Sequence, residues 1–95
     1  MWNGLIKQNK SVVVYMKVYV TKFALESGIL ECEVDSVNEF GSVYVANSPY
    51  DNDRYAHEGE WFTDRQAAID KAYQMRFEAV QNLYLKIEQL MHMEF

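Results

Sequence analysis

The sequence predicts an α+β fold: a three- to four-stranded antiparallel sheet followed by one long C-terminal amphipathic helix. Three observations carry that expectation. The first half is rich in β-branched and aromatic residues between turn signals, the segments are joined by tight turns rather than crossovers, and no Gly or Pro interrupts residues 64–93.

The strands come first. Residues 11–25 are strand-like, with Val12, Val13, Val14, Tyr15, Val18, Tyr19 and Val20 all β-branched or aromatic. Met16-Lys17-Val18-Tyr19-Val20 also reads as a natural protein start, which would make residues 1–15 an N-terminal extension. Glu26-Ser27-Gly28 is a turn signal. A second strand over 29–37 alternates cleanly, with Leu30, Cys32 and Val34 on one face and Glu31, Glu33 and Asp35 on the other. Asn38-Glu39-Phe40-Gly41 is another turn, and residues 42–46 a third strand. Residues 47–60 have no periodicity, contain the only Pro and read as a long polar loop, after which Trp61 and Phe62 form a short edge strand. Val18, Val20, Leu30, Cys32, Val34, Val43 and Val45 would share the face on which the helix packs. Tyr19, Thr21, Phe23, Tyr44 and the three acids would line the opposite one.

Thr63 would cap the helix, with Gln66 three residues on closing a capping box. Over residues 63–93, Ile69, Ala72, Tyr73, Val80, Leu83, Tyr84, Ile87, Leu90 and Met91 fall on one side and Lys71, Gln74, Glu78, Gln81 and Gln89 opposite. Such a helix is about 45 Å long at roughly 1.5 Å per residue. A strand of about eight residues spans only about 25 Å at roughly 3.3 Å per residue. The body cannot cover the whole apolar stripe, so a homodimer is expected through Val80, Leu83, Tyr84, Ile87, Leu90 and Met91. Arg76, near the centre of the arc, would snorkel or pair with an acid. Residues 1–95 read as one domain, with 16–62 as the sheet.

The net charge of −5 hides a partition. Residues 1–30 are basic through Lys7, Lys10, Lys17 and Lys22 against Glu26 alone. Residues 31–64 hold nine acids against Arg54, and residues 65–95 balance. No basic stripe is present, which disfavours direct nucleic-acid binding. No apolar run is long enough to span a membrane, and residues 1–7 lack a signal peptide's apolar core, so a cytoplasmic setting is expected. One cysteine excludes an internal disulfide.

Catalytic and metal chemistry finds no support, and neither cofactor nor metal is expected. His57-Glu58-Gly59-Glu60-Trp61 lacks the second His of a zinc-protease motif. Asp51-Asn52-Asp53 opens like a calcium loop, but Ala56 stands where Gly is needed and Phe62 where the bidentate Glu is needed. Cys32 alternates onto the apolar face, where a thiol is an inert small hydrophobe, and His57 and His92 have no ligating neighbours. Partner binding has two candidate surfaces besides the helix. In residues 47–60, Tyr50, Arg54, Tyr55 and His57 supply the chemistry of interface hot spots. Glu31, Glu33 and Asp35 recur at about 6.6 Å on one strand face, close to the phosphate repeat of a DNA strand. They would either be solvated and neutralised by Lys17 or Lys22, or mimic a nucleic-acid backbone.

The stretch Met16-Lys17-Val18-Tyr19-Val20-Thr21-Lys22-Phe23-Ala24-Leu25-Glu26-Ser27-Gly28-Ile29 resembles the opening of a group of small uncharacterised proteins encoded by phages and other bacterial mobile elements. In that group a strand-rich half also leads to an aromatic-Thr helix start and an Ala-rich first turn, matched here by Trp61-Phe62-Thr63 and Ala67-Ala68. The resemblance covers roughly residues 16–92. It implies a phage or prophage origin and no established activity; small acidic phage proteins often inhibit host defence or host enzymes. The expected function is therefore non-enzymatic protein–protein binding that inhibits a host factor. The alternatives are an acidic nucleic-acid mimic blocking a host enzyme and, more remotely, a small enzyme using residues 47–60.

Overall fold

The computed structural model of the protein describes residues 14–95. The central strand is β1, Met16–Val20, paired antiparallel on one side with β2, Leu30–Val34, in the register Val18↔Cys32. On its other side β1 pairs with Trp61–Phe62 through Val20↔Trp61 and Tyr19↔Phe62. The order of this three-stranded sheet is β2, β1, then Trp61–Phe62. The predicted strand over 42–46 is shorter and leaves that sheet: β3, Val43–Tyr44, pairs with β4, Tyr55–Ala56, in a separate two-stranded ribbon. Trp61–Phe62 is therefore β5. Residues 11–13 of the first predicted strand lie outside the described residues, and Val14 and Tyr15 precede β1 on the surface.

The alternation of Val18, Val20, Cys32 and Val34 places all four in the core, as their spacing predicts. Thr21 and Phe23 do not continue it outward; both are buried. The strand stops at Val20 because the chain turns there. Thr21 O accepts from Ala24 N–H at 2.9 Å, and Thr21 N–H donates to Glu60 O at 2.8 Å. A single helical turn follows, α1, Ala24–Ser27, in place of the end of the expected strand. Gly28, at φ 77°, ends it with its N–H on Ala24 O, a left-handed conformation that a side chain disfavours.

The core is built by sheet and ribbon together. Val18, Val20, Phe23, Cys32 and Val34 meet Val43, Val45 and Ala56, with Leu30 and Trp61 at the margin. The ribbon, not the helix, covers the apolar face expected for helix packing. The helix, α2, spans Arg65–Met91 and is about 40 Å long at roughly 1.5 Å per residue. It meets α1, β1 and β5, and its buried and half-buried residues end at Ala79. Ala68 is fully buried, while Lys71, Ala72, Met75 and Ala79 continue the same side half-buried. The small side chains let the backbone approach the body closely.

The helix cap also differs from the expectation. Asp64, not Thr63, is the N-cap: its carboxylate accepts from Gln66 N–H at 3.4 Å and Ala67 N–H at 3.2 Å. Gln66 does not reach back; its side chain donates forward to Asp70 at 3.0 Å. A carboxylate adds negative charge at the positive end of the helix dipole, which a threonine hydroxyl does not. Asp64→Ala is expected to cost about 1 kcal/mol, whereas Thr63→Ala should cost less than half of that, as read by urea unfolding.

Because β1 begins at Met16, a chain of residues 16–95 should fold with the stability of the full chain within about 0.5 kcal/mol. An unfolded product would place essential contacts upstream of Met16.

Candidate functional site

Three surfaces carry the residues singled out in the sequence. Glu31 and Glu33 project from β2, and Asp35 just past its end, all into solvent. Antiparallel pairing sets Lys17 against Glu33, and its ammonium lies 3.2 Å from the Glu31 carboxylate. That hydrogen bond and the carboxylate's charge hold the Lys17 ammonium above the ordinary lysine range. The row is thus partly neutralised at its Glu31 end by a cation on the neighbouring strand, which is what a solvated sheet face produces.

Residues 47–60 are not the structureless loop their composition suggests. They contain β4, and side-chain bonds tie the rest down. Arg54 donates to Ala46 O and to Asp51, each at 2.8 Å. Ser48 Oγ donates to Asp53 O at 2.6 Å. Lys22 reaches across to Asp53 at 2.5 Å and to Tyr55 O at 2.8 Å. The Tyr50 ring packs against Phe23 with centroids 5.8 Å apart, and its hydroxyl donates to the Glu26 carboxylate. This bond raises the Tyr50 phenol above its ordinary range. A raised folded value means the contact stabilises at neutral pH and loses that effect as alkaline pH passes through it. Tyr50 and Arg54 therefore hold the segment's shape.

His57 Nδ1 lies 2.6 Å from Ser42 Oγ. The pairing is that of a nucleophile with its base, but Ser42 is only 3% exposed and no carboxylate is bonded to the imidazole ring among the described residues. The bond links the chain before β3 to the end of β4. Cys32 is buried, its thiol 3.9 Å from Tyr44 O.

What the fold does gather is an open cleft of about 350 Å³ in which Glu33 and Asp35 join Tyr55, Tyr44 and Tyr15. Tyr44 and Tyr55 sit directly across the ribbon, edge to face at 5.5 Å. Sequence reasoning named Tyr55 and the acids but left out Tyr15 and Ser42, and placed Tyr44 only on an outer face. Tyr44 would have been found had its cross-strand partner been known. Arg54 and His57 line a neighbouring hollow with Phe40, while Glu31 and Tyr50 lie in neither.

The third surface is the distal helix. Val80, Leu83, Tyr84, Ile87, Leu90 and Met91 are between 42% and 78% exposed, and no residue from Val80 to Phe95 is even half-buried. Tyr73 and Phe77 extend the stripe toward the body, both exposed. Arg76, in the midst of it, stacks its guanidinium over Tyr73 at 4.7 Å. Among the described residues no helix is long and apolar enough to cross a membrane.

No family model matches this chain, and neither a curated protein nor a solved structure matches it.

Proposed function

We propose that this protein acts through protein–protein binding, without catalysis, and that the apolar stripe of α2 is a contact surface for a second chain. The uncovered stripe is the observation that carries this reading. Its eight large side chains leave roughly 1,000 Å² exposed, at about 150–250 Å² for a full-sized side chain. The largest apolar patch of an ordinary monomer is about 300–600 Å². Protein partners commonly bury about 800 Å² each. The resemblance of residues 16–29 to phage-encoded proteins adds the expectation that the assembled protein inhibits a host factor. The acidic-mimic reading is the weaker one, since Lys17 neutralises the Glu31 end of the row of carboxylates.

The test compares three variants in binding to a captured target. Leu83→Glu with Leu90→Glu should abolish binding. Glu31, Glu33 and Asp35 changed together to Ser, or Tyr55→Ala, should change affinity less than threefold. Binding through apolar surface should also persist in high salt, where attraction between exposed charges fades. Loss of binding with the serine variant, or steep salt sensitivity, would transfer the function to the acidic face.

A further inference from the structure

Resting on that reading, we infer that the stripe of α2 is occupied by a second copy of this chain, and that the two helices run antiparallel, crossing near Leu85. The spacing of the exposed residues is the starting point. Tyr73, Arg76, Val80, Leu83, Ile87, Leu90 and Glu94 follow one another at steps of three and four. That alternation averages 3.5 residues and marks a seam for another helix, with Val80 and Ile87 alternating with Leu83 and Leu90. The seam carries a charge at each end: Arg76 on the body side, Glu94 on the other. Glu94 lies three residues past the last helical residue, just beyond a closing turn in which Met93 N–H donates to Leu90 O at 3.4 Å.

Charge decides the direction. Parallel pairing would set Arg76 against its own copy and Glu94 against its own copy, both within the seam. Antiparallel pairing in the register that layers Val80 on Leu90 of the copy also layers Leu83 on Ile87 and Arg76 on Glu94. Every layer then occurs twice by symmetry. Like charges in a seam cost association and opposite ones favour it. On one flank Phe77 meets Met91 of the copy, and Tyr84 meets Tyr84. On the other flank Lys86 faces Lys86, whose long stems let the ammonium groups turn to water.

The body agrees with this direction. An apolar groove of about 320 Å³, lined by Leu25 of α1, by Ile29 just past it and by Ala72, Tyr73 and Arg76 of α2, continues the stripe. In the antiparallel register the C-terminal end of the copy's helix points toward that groove. The two bodies come to lie at opposite ends of the helix pair. The roughly 1,000 Å² uncovered on each chain is enough for a stable dimer, which needs about 800 Å² from each partner.

Sedimentation of the full chain should give twice the 11.2 kDa of one copy. Spin labels report direction in a Cys32→Ala background. Gln74→Cys should give a pair distance of about 35 Å, because 22 residues of offset separate the two labels at roughly 1.5 Å each. Gln89→Cys should give less than about 20 Å by the same offset arithmetic. Arg76→Glu alone should weaken the dimer about tenfold, and adding Glu94→Arg should restore it. Short distances at both labels, or no rescue by the double change, would overturn the antiparallel pairing. A monomer that still binds another protein, and loses it with Leu83→Glu and Leu90→Glu, would overturn self-pairing and leave the proposed function standing. A monomer indifferent to those changes would remove both.

Discussion

Replacing Trp61 by Ala is expected to destabilise the protein by about 3 kcal/mol, the loss typical of a large aromatic at the margin of a small core. Trp61 does two things at once. Its ring packs against the valine core from β5, the strand that enters the helix. Its indole N–H donates to Gly41 O at 2.9 Å, reaching the turn that leads into the ribbon. The residue therefore ties three-stranded sheet, ribbon and helix entry together. Trp61→Phe keeps most of the packing and loses the hydrogen bond, so about 1 kcal/mol is expected from that change. Urea unfolding followed by circular dichroism reads both values. Equal losses for Phe and Ala would mean that the hydrogen bond, and not the ring, joins the layers.

Ending the chain after Gln81 should abolish self-association while leaving the body folded, its stability within about 1 kcal/mol of the full chain. Every residue removed is exposed, and the buried contacts of α2 are made before Val80, through Ala68 and the half-buried Lys71, Ala72, Met75 and Ala79. The retained part of the helix keeps its cap on Asp64. The measurement pairs sedimentation with thermal unfolding. A truncated chain that is unfolded would show that the distal helix supports the body, and the stripe would then lose its standing as a free contact surface.

The two expectations sit at opposite ends of the molecule, and the division matters for function. Stability resides in the valine core closed by the ribbon. The proposed contact surface lies on a helix that contributes little to that core beyond its first turns. A substitution on the distal stripe should therefore separate binding from folding, which is seldom possible when an interface doubles as a domain's core.

The candidate surfaces were unevenly visible in the sequence. The overhang of α2 could be read directly, because a helix of known rise outruns the strands beneath it, and the six residues from Val80 to Met91 stand exposed as that length demands. Residues 47–60 could not be read. The two residues of β4, Tyr55 and Ala56, are too few to show a period, so a strand there is invisible until its partner is known. The bonds that Tyr50 and Arg54 make within the segment could not be read from residue type either, because hot-spot chemistry and structural tethering use the same side chains.

By itself the sequence determined what local periodicity can encode. It set the inward run of Val18, Val20, Cys32 and Val34, the outward acids of β2, the edge strand at Trp61–Phe62 and the length and apolar stripe of the helix. Only the tertiary structure decided what covers what. The ribbon closes over the valine face because β3 finds its partner in Tyr55–Ala56, a pairing across the polar stretch that no local pattern announces. Phe23 turns inward because Thr21 bonds to Glu60, 39 residues away, and ends the strand. Asp64 takes the cap from Thr63 because the extended entry from β5 sets which of two neighbouring side chains reaches the free amides. Side-chain alternation is a property of the backbone's own repeat, whereas closure of a core depends on which distant segments meet.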